Sequence, residues 1–171
     1  MPDFVPPQLC KSTSRSPSAD GWLHEIKFDG YRIQMRVEDG DVSLKTRTGL
    51  DWTDKFPAIA TAAAKLSDAI IDGEIVALSK TGDPDFSELQ TALSDGRTDE
   101  IVFFAFDLLF SDGDDLRQLP LFENAQLNQL IDNGKVRKPR MAAAFTAAAA
   151  LAGAYVTRRF SANDGLLPSP R

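Results

Sequence analysis

Apolar and polar positions alternate with a period of two along several short stretches of the chain and with a helical period along others. Residues 22–26, 31–37 and 42–46 read as strands. Between the last two, Glu38-Asp39-Gly40-Asp41 predicts a hairpin, because glycine accepts the positive φ of a tight turn. Residues 56–66 are alanine-rich with Pro57 in a tolerated first-turn position, which predicts a short helix burying Phe56, Ile59, Ala63 and Leu66. Residues 69–78 and 101–110 are apolar runs of strand length. Residues 86–93 predict a brief helix after the Gly82-Asp83-Pro84 break, and residues 121–131 a further one. Strands paired through hairpins and interrupted by single helices predict an α+β domain with antiparallel or mixed sheets and short helices, without internal repeats.

Composition narrows the classes of function. The 171 residues are 43% apolar and 26% charged, within the range of an ordinary globular domain. No stretch approaches the length of a membrane span, and no charged-then-apolar leader stands at the start, so no membrane partner and a cytoplasmic location are expected. Cys10 alone excludes a disulfide framework, and His24 alone makes a zinc site or a serine triad improbable, so both read as structurally incidental. The net charge of −6 argues against bulk electrostatic binding of nucleic acid.

That net charge conceals a division. Residues 1–134 carry 12 Lys+Arg against 24 Asp+Glu, whereas residues 135–171 carry 7 basic residues against Asp164 alone. Three segments are therefore expected: a flexible Pro/Ser-rich lead-in at 1–20, an ordered domain at 21–134 and a basic tail at 135–171.

The chemistry is concentrated in Lys27-Phe28-Asp29-Gly30-Tyr31-Arg32 at the exit of the first strand. A partly desolvated lysine beside other cations becomes nucleophilic, and an arginine fork suits phosphate or ribose oxygens. Lys-x-Asp-Gly alone is a weak signal. Residues 22–32, however, resemble motif I of the ATP-dependent DNA ligases, and their surroundings resemble the adenylation (nucleotidyltransferase) domain of bacterial non-homologous end-joining ligases. Residues 46–53 are similar to the arginine-bearing motif Ia, Asp72-Gly73-Glu74-Ile75-Val76 to motif III, and Phe104-Ala105-Phe106-Asp107-Leu108-Leu109 to motif IIIa, in the family's order. The resemblance runs from about Phe4 to Ile131.

The resemblance implies an enzyme that takes AMP from ATP onto a lysine, passes it to a 5′-phosphate and seals DNA breaks in repair and recombination. It implies Lys27 as nucleophile, Glu25 at the adenine edge, Arg32 and Arg47 on ribose or phosphate, Glu74 on the ribose and as metal ligand, and Phe106 stacked on adenine. ATP and Mg²⁺ or Mn²⁺ are the implied cofactors. Broken or nicked DNA and end-joining proteins are the implied partners, for a monomer associated with the nucleoid. Phosphoryl transfer is largely charge neutralisation and alignment, which suits this residue set. By composition alone, Phe106 would be core, Trp52 a packing residue, and residues 111–115 a solvated turn.

Beyond motif IIIa the pattern departs from the family. No Glu-Gly strand and no Lys-x-Lys strand follow, and no oligonucleotide-binding barrel. Residues 141–154 hold nine alanines in fourteen positions, flanked by Lys135, Arg137, Lys138, Arg140, Arg158 and Arg159. Helix propensity, a nucleic-acid arm or out-of-frame translation of a GC-rich gene each fit such a tail, the last best. A chain truncated after motif IIIa is expected to be an impaired ligase. The alternatives are an inactive nucleotide-binding remnant or adaptor, and another lysine nucleotidyltransferase of RNA-ligase or capping type.

Overall fold

A computed structural model of the chain describes residues 1–9, 23–26, 28–118, 141–143 and 154–157. Its strands are β1 (Leu23–Ile26), β2 (Tyr31–Glu38), β3 (Asp41–Thr46), β4 (Ala69–Val76), β5 (Val102–Ser111), β6 (Asp114–Asp115), β7 (Met141–Ala143) and β8 (Ala154–Thr157). The helices are α1 (Pro57–Ala63) and α2 (Phe86–Ser94). The main sheet has the order β3-β2-β4-β5-β6, with β7 parallel to β5 along Phe103–Ala105, while β1 and β8 form a separate antiparallel pair. This is the mixed, largely antiparallel α+β architecture that the sequence pattern predicts.

The β2–β3 hairpin follows from its turn. Glu38 pairs with Asp41, and Asp39 and Gly40 both take positive φ, 52° and 83°. Positive φ at both central residues matches the right-handed twist of the strands they join. A second turn of this kind, at Asp112 and Gly113, joins β5 to β6, so the acidic stretch at 111–115 is a solvated turn as expected.

β2 alternates strictly, and the fold is built on that alternation. Ile33, Met35 and Val37 enter a core with Leu44, Ile71, Ile75, Phe103 and Leu108, roofed by Phe56, Ile59 and Ala63 of the α1 region and by Leu89 and Ala92 of α2. α1 begins at Pro57 and ends at Ala63, shorter than the predicted helix, yet Phe56 and Leu66 at its margins are buried as predicted. The Asp85 side chain caps α2 by accepting the Glu88 N–H at 3.0 Å, satisfying one of the donors a helix start leaves unpaired.

The expectation for the lead-in changes. Residues 1–9, read as part of a flexible lead-in, are tied to β2 by hydrogen bonds, with Met1 and Val5 packed on the Ile70, Leu109 and Phe110 cluster. The tail contributes strands β7 and β8, paired with β5 and β1, although its alanine content also permits a helix. The helix predicted at 121–131 lies outside the described residues.

Phe103 is fully buried at the centre of this core. Phe103→Ala is expected to cost about 3–5 kcal/mol of stability in denaturant unfolding. Leu50→Ala, at an exposed position, should stay within about 0.5 kcal/mol of the parent.

Candidate functional site

The motif segments meet on the face of the sheet away from the helices. Arg32, Glu74 and Phe104 lie in one cross-strand row, since Arg32 pairs with Glu74 and Glu74 with Phe104. Arg32, Glu74 and, two residues along β4, Asp72 therefore share a face by register alone.

Two contacts fasten residues 28–30 to this row. The Phe28 ring is buried and stacks on Phe104, centroids 4.5 Å apart and planes 9° from parallel, within a cluster completed by Val76 and Val102. The Gly30 N–H donates to Glu74 Oε1 at 3.0 Å. Gly30 packs so closely on β4 that a Cβ there would lie 2.2 Å from the Ile75 carbonyl oxygen. Close backbone approach, rather than a positive φ, is what requires glycine in this motif. Gly73 is constrained in the same way, since a Cβ would lie 2.3 Å from the Phe103 ring.

Arg32 is held by the carboxylate of Asp72, in the segment that resembles motif III. Its Nε donates to Asp72 Oδ1 and Oδ2 at 3.1 and 3.2 Å, and its Nη2 to Oδ2 at 2.5 Å. Asp72 is buried and needs this partner, because an uncompensated buried carboxylate is costly. The fork geometry leaves Nη1, which donates to the Gln8 carbonyl at 3.3 Å. The guanidinium carbon lies 5.5 Å from the centroid of the Phe106 ring.

Phe106 owes its position to a bulge. Gly73 pairs with Ala105 but Asp72 with Asp107, so Phe106 is an extra residue on β5. Bulges re-aim side chains beside functional sites. The half-buried Phe106 stands beside Arg32, whereas Phe104 is committed to the apolar cluster with Phe28.

Arg47 is exposed on the turn that leaves β3 beside the start of β2, where Thr46 pairs with Ile33. The Thr46 N–H donates to the Leu50 carbonyl and the Gly49 N–H to the Thr46 carbonyl, both at 2.8 Å, which fixes the loop. Asp51 anchors its far side by accepting the Thr53 hydroxyl at 2.6 Å and the Thr53 N–H at 2.8 Å. These bonds hold the Asp51 carboxyl below its ordinary range. Trp52 is a packing residue as expected, edge-on to Tyr31 at 5.3 Å, and Lys55 Nζ lies 4.1 Å from its ring centroid.

Of the predicted residues, Arg32, Glu74 and Phe106 thus come together, while Arg47 stands on the exposed turn after β3. Lys27 lies outside the described residues. Glu25 is placed in β1, paired with Tyr155. Among the described residues no three His, Cys, Asp or Glu side chains form a dedicated metal cage. No helix among them is long and apolar enough to cross a membrane.

Two outcomes follow from this geometry. Gly30→Ala should cost about 2 kcal/mol or more in denaturant unfolding, because its Cβ meets backbone that cannot give way. The depressed Asp51 carboxyl favours the folded state above the unfolded pKa of about 3.9, and that contribution is lost as pH falls through the lower folded value. The stability difference between the parent and Asp51→Asn, less than about 1 kcal/mol at pH 6, should therefore vanish toward pH 2 in thermal melts.

Comparison with known proteins bears on the same segments. The family model described as ATP dependent DNA ligase domain matches residues 7–149, a span that runs past Ile131, where the motif resemblance ends. The multifunctional non-homologous end joining protein LigD of Pseudomonas aeruginosa is 41% identical over 135 residues, covering 77% of this chain and 16% of that protein. The SPbeta prophage-derived DNA ligase-like protein LigB of Bacillus subtilis is 30% identical over 121 residues, covering 70% of this chain and 44% of its own length. The crystal structure of the ligase domain from M. tuberculosis LigD superposes with a TM-score of 0.56 at 35% identity, covering 66% of this chain and 37% of that one. This chain spans less than half the length of any of these. With the matching model, the ordered motifs and the shared fold together, the chain belongs to the ATP-dependent DNA ligase domain family.

Proposed function

We propose that the sheet face bearing Arg32, Glu74 and Phe106 binds ATP and that Lys27 accepts AMP from it. The observation that carries this reading is the convergence of motif I, motif III and motif IIIa side chains on three adjacent strands, with Gly30 tied to Glu74 at 3.0 Å. An aromatic face for a nucleobase, a fork-shaped cation and a carboxylate then stand side by side. A mycobacterial DNA ligase D that this chain resembles was solved in complex with ATP. In the proposed step, the neutral Lys27 amine attacks the α-phosphorus, a P–N bond forms, the bond to pyrophosphate breaks, and the amine releases its proton to solvent.

Mg²⁺ or Mn²⁺ fits the donor set in a limited way. Mg²⁺ is usually held by one or two carboxylates together with substrate phosphates, so Glu74 alone suffices on the protein side. When bound, the ion supplies neutralisation of the triphosphate charge. Glu74 would divide its oxygens between that ion and the Gly30 N–H, while Arg32, already paired with Asp72, orients ribose or phosphate.

The 171 residues contain no Lys-x-Lys, and no basic residue lies between Arg140 and Arg158. Charge on the α-phosphate is then met by fewer cations, and loss of one such contact costs about 3–4 kcal/mol of the barrier. We propose broken DNA as the AMP acceptor and end-joining proteins as partners, and this chain should bind ATP and adenylate itself only slowly. Incubation with α-labelled ATP and Mg²⁺ should give slow label transfer that disappears in Lys27→Ala and is not supported by GTP. Label that persists in Lys27→Ala, or prefers GTP, contradicts the proposal.

A further inference from the structure

The chemistry above leaves one construction on the same face unused. Residues 1–9 lie across β2 as an extended strap, and successive outward-facing residues of β2 hold it. Arg36 Nε donates to the Pro2 carbonyl at 3.2 Å, Lys45 of β3 pairs with Asp3 at 2.7 Å, and Arg32 Nη1 donates to the Gln8 carbonyl at 3.3 Å. At the centre Gln34, only 5% exposed, uses both ends of its amide: Oε1 accepts the Val5 N–H and Nε2 donates to the Val5 carbonyl, each at 2.8 Å. A side chain thus supplies the hydrogen bonds that a strand neighbour would give. Gln34 is buried polar surface with both ends satisfied by the strap, so strap and glutamine hold each other in place.

The strap ends on the site. Asp72 fixes Nε and Nη2 of Arg32, and the Gln8 carbonyl fixes Nη1, the remaining corner of the guanidinium. The planar group is therefore gripped on two edges while its carbon lies beside Phe106. We infer that Gln34 is a positioning residue for Arg32, acting through the strap: its amide clamp on Val5 holds Gln8 where it restrains the guanidinium. The consequence for ATP rests on the nucleotide reading of this face; the restraint on Arg32 does not.

The full chain tests both parts separately. Hydrogen exchange of the Val5 amide reports the clamp, rotation of the Arg32 guanidinium about Nε–Cζ, followed by nitrogen NMR, reports the restraint, and titration with ATP reports the site. In Gln34→Ala, Val5 exchange and Arg32 rotation should rise together, the rotation by about two- to tenfold, as expected for one lost hydrogen bond. ATP affinity should fall by a factor of about two to ten. Val5→Pro removes the donor from the strap and leaves the buried glutamine in place, so it should reproduce the rotation and affinity changes even if Gln34→Ala unfolds. Unchanged Val5 exchange in a folded Gln34→Ala, or unchanged Arg32 rotation in Val5→Pro, overturns the inference. If rotation responds but the parent chain binds no ATP, the nucleotide reading fails and the positioning of Arg32 stands.

Discussion

The alternation of β2 is the constraint on which the remaining architecture depends. Its odd positions, Ile33, Met35 and Val37, are fully buried under the helices, while its even positions present Arg32, Gln34 and Arg36 to the other face. A slip of one residue would exchange these sets, exposing the core side chains and burying two arginines. The β2–β3 turn at Asp39-Gly40 and the pairing of β2 with β4 from Tyr31 to Val37 both enforce the same register. That register places Arg32 opposite Glu74 and two residues from Asp72's partner, Gln34.

On this frame the site is assembled with few degrees of freedom. Gly30 is pressed onto the Ile75 carbonyl, and Glu74 accepts its N–H, so the turn after Lys27 has little room to move. Asp72 gives Arg32 an ion pair in a setting where the carboxylate is buried and screening is weak. The β5 bulge gives up a ladder position to re-aim Phe106 beside Arg32 while keeping Phe104 in the cluster that anchors Phe28. A flat apolar ring, an oriented cation and a carboxylate on a rigid sheet are the groups that the proposed nucleotide site uses. The strap adds a second restraint on the same cation from the side opposite Asp72.

Much of this was legible in the sequence because the signals were local. Asp39-Gly40 announced a turn, apolar runs of strand length announced β4 and β5, and Pro57 with its alanines announced α1. Arg32, Glu74 and Phe106 were legible through their motif context, and their convergence follows from strand pairing. The bulge at Phe106 was hidden because it depends on how β5 meets β4, not on the composition of β5. Asp72 was passed over because its role is set by a residue forty positions away. The strap was misjudged for a related reason: Pro- and Ser-rich segments lack internal pattern, and only the Gln34 amide, within an ordinary strand, reveals what holds Val5. β7 and β8 pair with β5 and β1, although the alanine content of the tail also permits a helix.

The proposed ATP site is the face shared by Arg32, Glu74 and Phe106. Mapping amide and side-chain NMR shifts of the chain during titration with ATP and Mg²⁺ tests it most directly. Saturable shifts are expected at Gly30, Arg32, Glu74 and Phe106, weakened in Phe106→Ala, with Ile59 and Leu89 beneath the opposite face undisturbed. Shifts confined to the helical face, or none at ATP concentrations that saturate other members of the family, would contradict it.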